Sequence, residues 1–119
     1  MVIALAGLLV AVFAPIALAV NKQCTLYPCW GTNSRDTLYE RGGNGVPDYM
    51  IGRRYGDLIN ANAFTADRDL LDGQRGNDRL KAQDGDGRDE LYGGPGYDVC
   101  YVDAGDYTRG CDEVAIVTP

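Results

Sequence analysis

Residues 71–101 read LDGQRGNDRLKAQDGDGRDELYGGPGYDVCY, and the reading of this stretch decides the fold. One unit recurs in it: a glycine-rich turn, an Asp, and an apolar residue two places later. Residues 93–101 fit a nine-residue template G-G-x-G-x-D-x-(apolar)-x at every place, and residues 73–81 fit it except at Gln74. Anchored on the Asp and its apolar partner, the unit runs along the chain as Asp36/Leu38, Asp48/Met50, Asp57/Ile59, Asp69/Leu71, Asp78/Leu80, Asp89/Leu91, Asp98/Cys100 and Asp112/Val114. The spacings are 12, 9, 12, 9, 11, 9 and 14, so short and long alternate.

Alternation implies a two-sided coil, with two short strands and two turns in each circuit of 20 or 21 residues. The short turns 31–36 (GTNSRD), 52–57 (GRRYGD), 73–78 and 93–98 then share one edge of the stack. The long turns 40–48, 61–69, 82–89 and 102–112 share the other. Side chains alternate between faces along a strand, so the apolar residue two places after each Asp points inward. The expected inward ladders are Cys29, Met50, Leu71, Leu91 and Val114 on one sheet and Leu38, Ile59, Leu80 and Cys100 on the other. A slip of one residue would turn Thr37, Arg79 and Glu90 inward, which pins the register. The fold class expected is all-β: a short parallel β-roll or β-helix solenoid of about four two-sided coils, after an N-terminal signal helix. No other helix is expected, because each interior Gly costs a helix about 1 kcal/mol relative to Ala.

The two good nonapeptides resemble the repeats-in-toxin, or hemolysin-type, calcium-binding family, and the repeat register extends that resemblance over roughly residues 31–114. In that family calcium lies between stacked turns, held by the Asp of one turn, the Asp of the next turn on the same edge, and backbone carbonyls. Calcium takes six to eight oxygens, and glycine lets a backbone aim carbonyls in ways other residues resist. Carried over by position, the resemblance implies Asp78 and Asp98 as side-chain ligands, with carbonyls of Gly73, Arg75, Gly94 and Gly96. Asp57 joins the set, although Tyr55 replaces the fourth-place glycine of its turn; Ser34 does so in the turn of Asp36. Asp67 stands out of register and is expected to matter less than Asp78 or Asp98.

The long edge offers a second kind of candidate. Residues 84–90 (DGDGRDE) place four acids in seven residues, and such density repels itself unless a cation joins it. Asp84, Asp86 and Asp89 are therefore candidate calcium ligands, in a loop like a shortened EF-hand without its twelfth-place Glu. The alternative is a solvated acidic turn. Asp48, after GGNGVP, is a weaker case of the same kind.

Composition bounds what else the chain does. It has 119 residues and a net charge of −6, carried by 14 Asp and only 3 Glu. Asp suits turns and short-reach calcium ligation, and the acidic balance argues against a nucleic-acid partner. There is no His, so triads and metal sites built on histidine are excluded. The nine Arg are expected to pair with outward carboxylates. Trp30 is expected to cap the open end of the core.

Residues 1–19 carry no charged side chain and end in Ala17-Leu18-Ala19, a small-x-small cleavage pattern. They read as a secretory signal peptide, with an uncleaved membrane anchor as the alternative. The expected layout is signal 1–19, N-terminal cap 20–30, calcium-binding repeats 31–101 and C-terminal cap 102–119. In an exported chain the four Cys read as disulfides. Cys29 and Cys100 fall on strands about three coils apart, beyond the roughly 7 Å that a disulfide allows between Cα atoms. Cys24–Cys29 and Cys100–Cys111 are the expected pairs. The chain thus reads as a secreted, monomeric calcium-binding module without catalytic activity. A cell-surface or extracellular-matrix role is the first alternative. A glycan-acting enzyme is the second, though the repeat already accounts for every regular Asp.

Overall fold

The computed structural model describes residues 18–41, 45–63 and 67–117. The signal helix is expected over residues 1–19, of which 1–17 lie outside the described residues and 18–19 are not helical. The described residues contain no helix and form eleven strands. These are β1 (Asn21–Gln23), β2 (Cys29–Trp30), β3 (Thr37–Tyr39), β4 (Tyr49–Arg53), β5 (Leu58–Asn60), β6 (Leu70–Gln74), β7 (Arg79–Ala82), β8 (Glu90–Tyr92), β9 (Val99–Asp103), β10 (Tyr107–Arg109) and β11 (Glu113–Val117). Odd strands form one sheet in the order β1-β3-β5-β7-β9-β11, and even strands form the other, β2-β4-β6-β8-β10. Each pairing is parallel, joining a strand to the one a full circuit later. The chain is a two-sided parallel β-solenoid.

The inward residues stack in columns between the sheets. Leu38, Ile59, Leu80 and Cys100 align in one, and Cys29, Met50, Leu71 and Leu91 in the other, all essentially without solvent exposure. Burying each large member contributes about 1.5–3 kcal/mol. Two residues further on, the pleat points inward again. On the odd sheet that place holds Glu40, Ala61, Ala82 and Val102, all buried. On the even sheet it holds Gly31, Gly52, Gly73 and Gly93, which open the short turns.

Three expectations are corrected. Val114 lies on the odd sheet, opposite Cys100, and is exposed. The reason is β10: residues 102–112 form a strand rather than a simple long turn. Thr108 of β10 aligns with Leu91 and takes the ladder place assigned to Val114. Its polar side chain hid the unit Asp106-x-Thr108 from an apolar filter. Trp30 does not cap the core; it points outward, is exposed, and carries the Arg53 guanidinium 6.0 Å from its ring centre. At the amino end the core is closed by the Cys24–Cys29 disulfide, with Cα atoms 5.5 Å apart and both cysteines buried. At the other end Cys100–Cys111 does the same, at 6.0 Å. Both are the expected pairs. Only two Arg form ion pairs among the described residues, Arg41 with Asp48 and Arg68 with Glu90.

Candidate metal centre

The short turns repeat one backbone path. Their second and fourth places are left-handed in three successive coils: Arg53 and Tyr55 (φ 87° and 71°), Gln74 and Gly76 (65° and 126°), Gly94 and Gly96 (87° and 121°). Glycine enters this region freely and other residues do so at a cost, which is the physical content of the G-G-x-G template. Close stacking adds a second demand at Gly76 and Gly96, where a Cβ would collide with the carbonyl of Tyr55 or of Gly76 in the preceding coil. The first turn follows a different path, with neither Thr32 nor Ser34 left-handed.

The Asp that ends each short turn is buried and joins two coils. The amides of Asp36, Asp57 and Asp78 each donate to Oδ1 of the Asp one circuit later, Asp57, Asp78 and Asp98, at 2.8 Å. Oδ2 of Asp57, Asp78 and Asp98 is buried with no hydrogen-bond donor among the described residues. Each of these oxygens leans over the glycine that opens its own turn. A Cβ on Gly73 would meet Asp78 Oδ2 and come within 2.9 Å of the Gly93 carbonyl oxygen of the next coil. The same holds at Gly52, with Asp57 Oδ2 and the carbonyl of Gly73 at 2.9 Å. Carboxylate and carbonyl oxygens thus converge from adjacent turns, which is the donor set a hard cation takes. At Asp36 the place is filled instead, because Thr32 donates to its carboxylate from both the backbone and the hydroxyl.

Burial is the main reason these carboxyls resist ionisation. It pushes Asp57 up to about 7 and Asp78 to about 8, and raises Asp98, with neighbouring carboxylates adding to the effect at each. Backbone N–H groups pull all three the other way. A bound cation would relieve the same stress by favouring the charged form.

The long edge carries the same ladder. The amides of Asp48, Asp69 and Asp89 donate to Oδ1 of Asp69, Asp89 and Asp106, at 2.8, 2.8 and 3.0 Å. Asp48 is neutralised by Arg41, which donates a backbone N–H at 3.0 Å and places Nε 3.6 Å from the carboxylate. Oδ2 of Asp69, Asp84, Asp86 and Asp89 has no donor among the described residues. Burial raises Asp69 and Asp89 to about 8 and Asp84 to about 7. Carboxylate oxygens here gather within 4.8 Å as Glu40/Asp67/Asp69, Asp67/Asp84/Asp86, Asp69/Asp84/Asp89 and Asp86/Asp89/Asp106.

The candidate residues therefore divide between the two edges. Asp57, Asp78 and Asp98 form the short-edge column, with Gly73, Arg75, Gly94 and Gly96 in its turns; Asp84, Asp86 and Asp89 lie together on the long edge. Reading by register passed over Glu40, Asp67, Asp69 and Asp106. Asp69 had a signal, since it ends a unit as Asp89 does. Glu40 had one too, at the place two beyond an inward residue that alanine or valine fills in later coils.

A family model described as the RTX calcium-binding nonapeptide repeat (4 copies) matches residues 65–100 and 81–108. Over these residues the chain carries RTX calcium-binding repeats. The matched part spans the turns of Asp78 and Asp98 and the acidic long turn. The less regular RTX-like coils, with Ser34 and Tyr55 at the fourth place, lie before it. RTX nonapeptide repeats bind calcium, and the buried, donor-less carboxylate oxygens of both edges fit that ion. No curated protein and no solved structure matches the chain.

Proposed function

We propose that the protein is a secreted, non-catalytic RTX module in which calcium completes the fold. The observation that carries this reading is the column of Asp57, Asp78 and Asp98, each with Oδ1 committed to the adjacent coil and Oδ2 buried without a donor. Calcium would be held by Asp78, Asp98 and carbonyls of their turns, with Asp57 extending the row. Bound there, it supplies charge compensation between coils. The chain's own part is to orient oxygens through the amide ladder and to keep them from water. Export is supported by the uncharged segment 1–19 and by two disulfides, which persist in oxidising compartments. The absence of catalysis is supported by the bonding of the regular Asp side chains into the ladder.

A cell-surface or matrix role is the second reading, favoured by Trp30, Tyr55 and Tyr97 exposed on the outside of the coils. Calcium titration by calorimetry, run beside a glycan-hydrolysis screen, tests the proposal. Saturable calcium binding with no hydrolysis supports it. Turnover, or no calcium binding, overturns it.

A further inference from the structure

We propose that the long edge holds a second kind of metal site, built of side-chain carboxylates and anchored by Asp67, for a hard divalent cation such as calcium. It extends the calcium reading above, on which it rests for the identity of the ion, to residues outside the nonapeptide pattern.

Asp67 is the key observation. It stands outside the Asp-x-apolar register, yet its side chain is only 3% exposed. Among the described residues no N–H group of another residue donates to either of its oxygens, and what faces it is another acid, Asp84. Oxygens of Asp67, Asp84 and Asp86 lie within 4.8 Å of one another. Asp84 also belongs to a second such group, with Asp69 and Asp89. The two groups share a residue, so they form one continuous strip.

The turn is shaped to present these oxygens. Asp84 accepts the Asp86 amide through Oδ1 at 3.0 Å, and Asp86 accepts the Arg88 amide through Oδ1 at 3.1 Å. Each bond fixes a carboxylate and leaves Oδ2 buried without a donor. Neither Lys nor Arg comes within ion-pair distance of Asp67, Asp69, Asp84, Asp86 or Asp89 among the described residues; Arg68 turns to Glu90 instead. So many like charges at this separation require neutralisation. A divalent cation with oxygen ligands meets the need. The donors differ from those of the short edge, since only Gly85 in this turn is left-handed and the oxygens come from side chains.

Protons are the competing solution, with one shared between Asp67 and Asp84. Calcium stoichiometry and amide exchange on the full chain, with calcium or with chelator, decide between them. In the unsubstituted protein, calcium is expected to protect the amides of residues 83–89. Asp67→Asn with Asp84→Asn should lose one or more bound ions and that protection, while residues 73–78 and 93–98 keep theirs. The proposal is overturned if exchange at 83–89 is the same in calcium and chelator, or if the double variant binds as many ions as the parent. A parental ion count in Asp78→Asn with Asp98→Asn would instead reject the short-edge assignment and leave this one standing.

Discussion

The amide of Asp78 donates to Oδ1 of Asp98, twenty residues on, at 2.8 Å, while Asp98 Oδ2 remains buried without a donor. One oxygen ties two coils together, and in the proposed function the other faces a cation. Removing either carboxylate should therefore affect both binding and stability. Ligand charge tunes calcium affinity over decades, so Asp78→Ala or Asp98→Ala should weaken calcium binding by about tenfold or more. Asp36→Ala is the control, because Thr32 already satisfies that carboxylate. Calorimetric titration should show little change in affinity there.

Backbone conformation yields a second expectation. Tyr55 is exposed and left-handed, at φ 71°, in the place that Gly76 and Gly96 fill in later coils. Tyr55→Gly should raise stability by about 1 kcal/mol by removing that strain. Gly76→Ala should lower it by about 3 kcal/mol or more, since strain and a clash with the Tyr55 carbonyl combine. Thermal melts of the two variants check both signs.

Much of this was legible beforehand, for a physical reason. A solenoid repeats its contacts every circuit, so Asp-x-apolar spacing reports strand, face and edge together. It failed where a place is filled by an unusual residue. Thr108 is polar, so an apolar filter skips the unit at Asp106 and assigns Val114 to the wrong sheet. Trp30 is expected as a cap beside Cys29, yet alternation from the inward Cys29 turns it outward. Asp67 follows no register, and only the stacking of the long turns 61–69 and 82–89 brings it against Asp84.

Stability should fall with rising pH in the metal-free protein and depend on pH much less in saturating calcium. Asp69, Asp78 and Asp89 are raised by burial from 3.8 to about 8, and Asp57 and Asp84 to about 7. A raised carboxyl stays protonated in the fold after the unfolded chain has ionised. The metal-free protein should therefore lose stability as pH rises from roughly 4 to roughly 8. Calcium binds the ionised form, so its affinity should rise over the same window. Melting temperatures should fall from pH 5 to pH 8 in chelator, and the gap between saturating calcium and chelator should widen toward pH 8.

The carboxyl-terminal disulfide closes a short loop around β10. Replacing Cys100 and Cys111 together should destabilise the chain by about 2–3 kcal/mol in the loop-entropy model. The core position of Cys100 adds a packing loss, so reduction of the native protein is the cleaner comparison. Denaturant midpoints with and without reductant measure it.

Whether calcium completes the fold is tested most directly by amide exchange over residues 73–101, measured in calcium and in chelator. Strong protection with calcium, and markedly faster exchange at the turns 73–78, 83–89 and 93–98 without it, is the result expected. Identical protection in both conditions would contradict the account.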